Sequence, residues 1–394
     1  MRWLLQILEI TKMGLSTIPQ RLGSSLVIVV GIAGVVGVLI ALLAMGEGFQ
    51  SVLAKAGRVD EVIVLRKGAN AELNSGISRN DAVLIAQVPG VLKNAADQAI
   101  ASAEVVVVAN LRKKSTNTDA NVEIRGVGPR VWELRPNARM IDGRPFESGK
   151  RELVVGKSAQ SEFAGVDTGA TLQLGQQEWR VVGTFVTGDA HESELWGDAE
   201  VVQGAYHRSG FQSVTLKLTD ANAFDAVKAA LSTDPRLSVD VQRTRDYYAT
   251  QSEDLTRLIR ILGVAIASIM AIGAVFGALN TMYTAVATRA REIATLRAIG
   301  FSGTLVVIAI MLEAALLALV GGLIGVGVAW FLFDKYTVST LGANFSQVVF
   351  AFKVSPQLIF NGLVWALIIG LIGGLIPAIG AARLPVTTAL RENA

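Results

Sequence analysis

The sequence predicts a membrane protein with four transmembrane α-helices per chain and a large α+β extracytoplasmic domain inserted between helices 1 and 2. Three observations lead there. Of 394 residues, 51% are hydrophobic and 18% charged, and the mean hydropathy is +0.46, too apolar for an ordinary soluble domain. The apolar residues lie in blocks: Ser24 to Gly46, Ile261 to Thr288 and Val354 to Ala382 carry no charge, and Phe301 to Phe333 carries only Glu313. Each block exceeds the roughly 20 residues that cross about 30 Å of hydrocarbon. The third observation is the single long polar stretch, residues 48–255.

Basic residues orient the spans. Arg2, Lys12 and Arg21 precede the first span, Arg289, Arg291 and Arg297 lie between the second and third, and Arg383 and Arg391 follow the fourth. The connection between the third and fourth has only Lys335 and Lys353, set against Asp334. Both termini and the middle connection are therefore expected in the cytoplasm of a bacterial inner membrane protein, with the long polar region outside.

Taken in order, residues 1–23 read as a cytoplasmic amphipathic helix ended by Pro19. Residues 24–47 form the first span. Its apolar core is too long for a cleaved signal peptide, and no Ala-x-Ala-like site follows it. In the outer domain (48–255), strand signatures occur at 61–65, 103–109, 122–127, 151–155, 179–183 and 213–218. Helical stretches fall at 78–88, where Ser78 and Asp81 suggest a cap, and at 158–163 and 221–231. Lys113 to Asn121 reads as an exposed hairpin tip. Apolar residues at helical spacing from Leu255 to Leu262 predict that the second span (256–288) begins outside the bilayer as a stalk.

Residues 289–301 are a short charged segment wedged between two spans. On one side recur Ile293, Leu296 and Ile299/Gly300; Arg291, Glu292 and Arg297 project elsewhere. This predicts a cytoplasmic helix with one face on the membrane domain and basic side chains left for a partner. The third span covers 302–333, a short extracytoplasmic loop 334–355, the fourth span 356–382, and a cytoplasmic tail 383–394.

Several chemistries are disfavoured. The chain has no Cys, so disulfides and thiolate sites are excluded. Gly156-Lys-Ser158 follows a strand, but Arg151 stands where a phosphate loop needs its first glycine. His191 and His207 are not at metal-ligand spacing, and His191-Glu-Ser-Glu194 reads as a solvated loop. No catalytic acid pair or nucleophile motif stands out, so no enzyme activity and no metal is expected. The net charge of +3 comes from the span ends, not from a nucleic-acid-binding stripe. Glu313 must face protein, water or the inner boundary, because a lone charge against lipid costs several kcal/mol. Proton coupling is one reading; hydrogen bonding to a neighbouring helix near the cytoplasmic end is preferred. Gly273 and Gly277, Gly321 and Gly325, and Gly370 and Gly374 have small-xxx-small spacing. They serve either packing within one subunit or a seam between two copies.

The segment Arg289-x-Arg-Glu-Ile-Ala-x-Leu-Arg-Ala-Ile-Gly-x-Ser302 resembles the signature of MacB/FtsX-type (type VII) ABC transporter permeases. Supporting matches are Gly46-Glu-Gly48, Gly143-Arg-Pro-Phe146, Leu153-Val-Val155, Val181-Val-Gly183, Glu313 with Gly321-Gly-x-x-Gly325, and Pro385-x-x-x-Ala-Leu-Arg391; Leu384 departs from a common Asp. The resemblance covers nearly the whole chain. It implies an outer domain of porter and sabre-like lobes, two permease copies (a homodimer rather than a heterodimer) and a cytoplasmic ABC ATPase dimer docked on the 289–301 helix. Arg289, Arg291, Glu292, Ile293, Leu296, Arg297, Ala298 and Gly300 are then the coupling residues. This chain shows no Walker sequence, so it needs no cofactor of its own, and ATP and Mg are expected on the partner ATPase. A periplasmic adaptor with an outer-membrane channel, and membrane lipids, are further partners; nucleic acid is not. The expected function is mechanotransmission from ATP hydrolysis to export of a lipophilic, lipid-like or peptide substrate. The alternative is a non-transporting mechanotransmitter regulating an outer partner such as a cell-wall hydrolase. A membrane sensor or anchored enzyme is disfavoured by the lack of catalytic groups.

Overall fold

The structure, a computed structural model, describes residues 11–12, 21–342 and 344–383. The expected N-terminal amphipathic helix falls mostly outside the described residues, as does the tail beyond Arg383. The chain divides into two compact units, one of residues up to Glu47, Arg257–Tyr336 and from Phe352 onward, the other of Gly48–Thr256 and Thr337–Ala351.

The chain opens with α1 (Leu22–Lys55), whose charge-free stretch supplies the first span. Then come β1 (Glu61–Arg66), α2 (Arg79–Ala86), β2 (Ala101–Arg112), β3 (Asp119–Val127), α3 (Val131–Leu134), β4 (Arg139–Gly143) and β5 (Glu152–Gly156). They are followed by α4 (Lys157–Glu162), β6 (Thr171–Leu174), β7 (Gln177–Val186), β8 (Glu194–Asp198), α5 (Ala199–Ala205), β9 (Ser213–Lys217), α6 (Ala223–Thr233) and β10 (Val239–Arg243). Next are α7 (Thr244–Thr288), α8 (Ala290–Ala298), α9 (Gly303–Phe333), β11 (Thr337–Leu341), β12 (Gln347–Ala351) and α10 (Pro356–Arg383). Among the described residues, α1, α7, α9 and α10 are long and apolar enough to cross a membrane. Helix α7 has no break where the polar stalk sequence meets the apolar one, as the spacing from Leu255 to Leu262 predicts.

The outer unit is built on one sheet, ordered β10-β1-β9-β2-β3-β8-β5-β7-β4, with β6 paired to β7. The pairs β3–β8 and β5–β7 are parallel and the others antiparallel. Ser78 caps α2 as its spacing predicts, accepting a hydrogen bond from the Asp81 amide at 3.1 Å. Alternation along the strands gives the sheet two unlike faces. Val62, Val64, Val105, Val107, Val122 and Ile124 point into one apolar core with Leu153, Val155 and Leu195. The alternate positions of β3, Glu123 and Arg125, lie on the other face, as do Val127, Val154 and Trp196, which join a smaller apolar cluster.

The connection 334–355 is not a plain loop. Thr337–Leu341 and Gln347–Ala351 pair antiparallel, and this hairpin packs into the outer unit. The Val349 amide donates to Ser193 Oγ at 2.9 Å, and Asn121 Nδ2 donates to the Phe345 carbonyl at 2.7 Å. The Thr-Val-Ser-Thr and Val-Val-Phe runs carry the β-branched and aromatic residues that favour strands, but the segment is too short to stand out beside two spans.

Candidate functional site

The first candidate site is the corner between α7 and α9. Helix α7 ends at Thr288, and Arg289 caps α8 with φ −111° and ψ 14°. Its guanidinium turns inward: Nη1 donates to Glu313 Oε2 at 3.2 Å and Nε reaches Glu292 Oε2 at 3.4 Å. Arg21, just ahead of α1, donates from Nη2 to the other oxygen of Glu313. Glu313 sits on α9 and is only 2% exposed. Two guanidiniums on one carboxylate give that charge the partners its burial requires. This matches the preferred expectation of a hydrogen-bonded Glu313. The adjoining cavity, lined also by Met282, Leu296 and Ile310, measures about 20 Å³, room for a water but not for a cargo.

Helix α8 buries Ile293 and Ala294, and Leu296 packs with Phe301 against Leu305 and Ala309. Arg291, Glu292, Thr295 and Ala298 are exposed, and Arg297 is half-buried. Ile299, expected on the membrane-facing side with Ile293 and Leu296, is instead 70% exposed. The reason is a helix stop. Gly300 has φ +102°, its amide donates to the Arg297 carbonyl at 3.1 Å, and the Phe301 amide donates to the Leu296 carbonyl at 3.1 Å. These are the two bonds of a Schellman motif, with the Leu296–Phe301 contact that accompanies it. The turn takes Ile299 out of helical register and leaves it in the open.

The second candidate site is a buried ionic network in the outer unit. Arg125, 1% exposed, forks onto Glu72 (Nη1–Oε1 2.8 Å, Nη2–Oε2 3.0 Å) and onto Glu194 (Nε–Oε2 2.8 Å, Nη2–Oε1 3.0 Å). It also meets Glu123 Oε1 at 2.6 Å and Glu104 Oε2 at 2.9 Å. Arg135 takes Glu104 from the far side, with bonds of 2.7 and 3.0 Å. Trp196 Nε1 donates to Glu194 at 2.7 Å and Ser213 Oγ to Glu72 at 2.7 Å. His191 stands between Asp189 (Nδ1 3.1 Å) and the Tyr248 hydroxyl (Nε2 3.1 Å). The hairpin turn completes the cluster: Asn344 Nδ2 and Ser346 Oγ both donate to Glu123 Oε2 at 3.1 Å.

The electrostatics follow from the count of signs. Carboxylates of Glu61, Glu72, Glu104, Glu123, Asp189 and Glu194 outnumber the cations Arg125, Arg135 and His191. Burial raises the Glu104 carboxyl, but Arg135 and Arg125 outweigh it and hold that carboxyl down at about 2. Glu61 has no such partner. Burial pushes it up to about 7 against the pull of Arg135 and His191, and its Oε1 has no hydrogen-bond partner among the described residues. Glu123 is pushed up to about 8 by burial and by the Glu194 charge, more than Arg125 draws it down. Burial disfavours the charged His191 ring, yet Asp189 and Glu194 raise it above its ordinary value.

Comparison with known proteins adds the decisive observation. The model of the MacB-like periplasmic core domain matches residues 25–234, more than half of the chain, and that of the FtsX-like permease C-terminal region matches residues 264–386. This chain belongs to the MacB/FtsX-type ABC transporter permeases. Among relatives, the uncharacterized ABC transporter permease YknZ of Bacillus subtilis is 23% identical over 98% of this chain and 100% of its own length. The macrolide export ATP-binding/permease protein MacB of Pasteurella multocida is 28% identical over 93% of this chain but 57% of its own length. The chain thus spans only part of the MacB relatives. The extracellular domain of YknZ from Gram-positive bacteria covers 46% of this chain at 16% identity and a TM-score of 0.36. The periplasmic region of MacB from Actinobacillus actinomycetemcomitans covers 50% at 14% and 0.38.

The chain is therefore a membrane-embedded permease of an ABC-type system with a periplasmic-type outer domain, and permeases of this family work with an ABC ATPase. Its signature segment is the α7–α8–α9 corner. Within it the residues divide. Arg289 and Ile293 face the protein, Arg291, Glu292, Ala298 and Gly300 face outward, and Leu296 and Arg297 lie between. The glycine pairs divide as well. A Cβ on Gly325 would fall 2.5 Å from the Ala33 carbonyl oxygen, and one on Gly321 2.8 Å from that of Val29; both pack on α1. Gly370 and Gly374 pack on α9, where a Cβ would meet Ala318 Cβ at 2.3 Å and Ala314 Cβ at 2.7 Å. A Cβ on Gly273 would meet nothing within 4 Å, and one on Gly277 only Val27 at 4.0 Å.

The outer network was not anticipated. His191, expected in a solvated loop, is 1% exposed, because the short 3-10 turn Ala190–Ser193 tucks under Tyr248 and β12. Gly156-Lys-Ser158 is filled by the protein itself: a Cβ on Gly156 would fall 2.1 Å from the Glu192 carbonyl oxygen. The available signal was charge in strand interiors, at Glu61, Glu104, Glu123 and Arg125.

Proposed function

We propose that this chain is the membrane subunit of an exporter in which a separate ABC ATPase, docked on the exposed side of α8, drives extrusion of a lipophilic, lipid-like or peptide substrate by mechanotransmission. One observation carries the reading. Helix α8 is held on its inner side by Arg289, Ile293 and Ala294, while Arg291, Thr295, Ala298 and the apolar Ile299 are left uncovered. An exposed isoleucine beside an exposed arginine suits a protein interface better than a lipid surface. A lipophilic cargo is supported by a groove of about 700 Å³ along α1 and α9, lined by residues such as Val30, Val38, Ile324 and Val328, within the range of small-molecule sites. Gly273 and Gly277, unused inside the chain, are the face we assign to a second copy. Under this reading the termini and α8 are cytoplasmic.

The test is co-purification with the ATPase encoded beside it. Arg291→Glu and Ile299→Asp, each on the open side, are expected to reduce association at least tenfold while the permease still folds. Full association and full ATP turnover in both variants would remove the assignment.

A further inference from the structure

We propose that Glu123 is a proton-binding site that governs how firmly the β11–β12 hairpin is held in the outer unit: protonated, it keeps the hairpin turn; ionised, it releases it. The geometry comes first. The only side-chain hydrogen bonds from the hairpin turn to a titratable group are those of Asn344 and Ser346, both to one oxygen of Glu123. The hairpin itself carries no charged residue from Thr337 to Ala351, so it brings no cation to offset that carboxylate. Every other element packed around Glu123 adds mostly acid. Glu72 comes from the 3-10 turn before α2, Glu104 from β2 and Glu194 from β8; Arg125 is the shared cation. Tyr247 and Tyr248 at the start of α7 are neutral, their hydroxyls held well above the ordinary value by burial. His191 and Asp189 lie one layer further out.

A second observation points to the ligand. Asn344 is 8% exposed, and its Oδ1 has no hydrogen-bond partner among the described residues. It lines a cavity of about 30 Å³ with Glu123, Arg125, Glu194, Tyr248 and Gln251, whose Nε2 also lacks a partner. A proton on Glu123 answers both facts. It removes one charge from an acid-rich cluster, and the new O–H donates to the Asn344 amide oxygen once the amide turns over. The cavity has room for a water facing Gln251. Loss of the proton to solvent leaves two carboxylates, Glu123 and Glu194, competing for Arg125, a strain relieved when the turn lifts and water reaches Glu123. The carboxyl is already raised to about 8 with the hairpin in place, which sets the range of the effect.

The sign is fixed by linkage. Lifting the turn returns Glu123 toward its ordinary value and releases a proton, so opening is favoured by rising pH up to about 8 and levels off above it. The test is amide hydrogen exchange over residues 337–351 in the full chain in lipid nanodiscs, corrected for intrinsic rates, from pH 6 to 9. Protection is expected to fall by up to about tenfold per pH unit before the plateau. Glu123→Gln, neutral and of the same shape, should stay protected with a flat profile, and Glu61→Gln should keep the wild-type slope. If Glu123→Gln does not fold, Asn344→Leu serves instead and should also flatten the slope. A wild-type profile without slope, a slope unchanged in Glu123→Gln or Asn344→Leu, or one abolished by Glu61→Gln would overturn the proposal. None of these outcomes depends on ATPase association, so this inference and the preceding one fail separately.

Discussion

Both units bury charge, but with opposite excess. At the α7–α9 corner one carboxylate, Glu313, faces two guanidiniums. In the outer unit several carboxylates crowd around Arg125 and Arg135. The difference matters because arginine keeps its charge at any ordinary pH whereas a carboxylate can take up a proton. A base-rich cluster is therefore a fixed clamp. An acid-rich one adjusts to its surroundings by binding protons, and Glu61 and Glu123 are where it does so.

The largest expected effect separates the two directly. Arg125→Gln leaves buried carboxylates without their shared cation and should cost about 4 kcal/mol at pH 7, read from denaturant unfolding in micelles. The deficit should shrink toward pH 5, because the orphaned acids then protonate. A loss below about 1 kcal/mol would mean the network contributes nothing specific. Glu313→Gln should cost less, about 2 kcal/mol, since Arg21 and Arg289 keep partial contact with water and can hydrate. Its deficit should not change between pH 5 and 8; a deficit that vanished in acid would erase the contrast. The smallest effect is Gly300→Ala, about 1 kcal/mol, from forcing a side chain into a left-handed turn. Its signature is faster exchange of the Phe301 amide, with no effect on the outer unit.

What the sequence showed depended on how long a signal ran. The four spans were legible because each is a long charge-free block, and β1, β2, β3, β5, β7 and β9 because alternating β-branched residues mark them. Strands β4, β8 and β10 were not read, being short and interrupted by Asp, Gly or Gln. The candidate corner was legible from Arg289 to Gly300, but the direction of Arg289 was not. Periodicity placed it away from the apolar stripe, and only the inward Glu313, in sequence 24 residues on, draws it back. Ile299 was misplaced because helical spacing was carried one residue beyond the helix. The outer network was missed for a related reason. Alternation separates polar from apolar faces, yet Glu123 and Arg125 are dry because Tyr247, Tyr248 and the hairpin cover them, elements far away in sequence.

The hairpin also dictates an order of assembly. Asn344 follows Glu123 by 221 residues, and at roughly 5–20 residues per second a ribosome needs about 10–45 seconds to travel that far. In that interval two further hydrophobic segments must emerge, and the outer sheet waits with its acidic face wet. Its closure is thus reserved for the end of synthesis, when the third span has already been delivered.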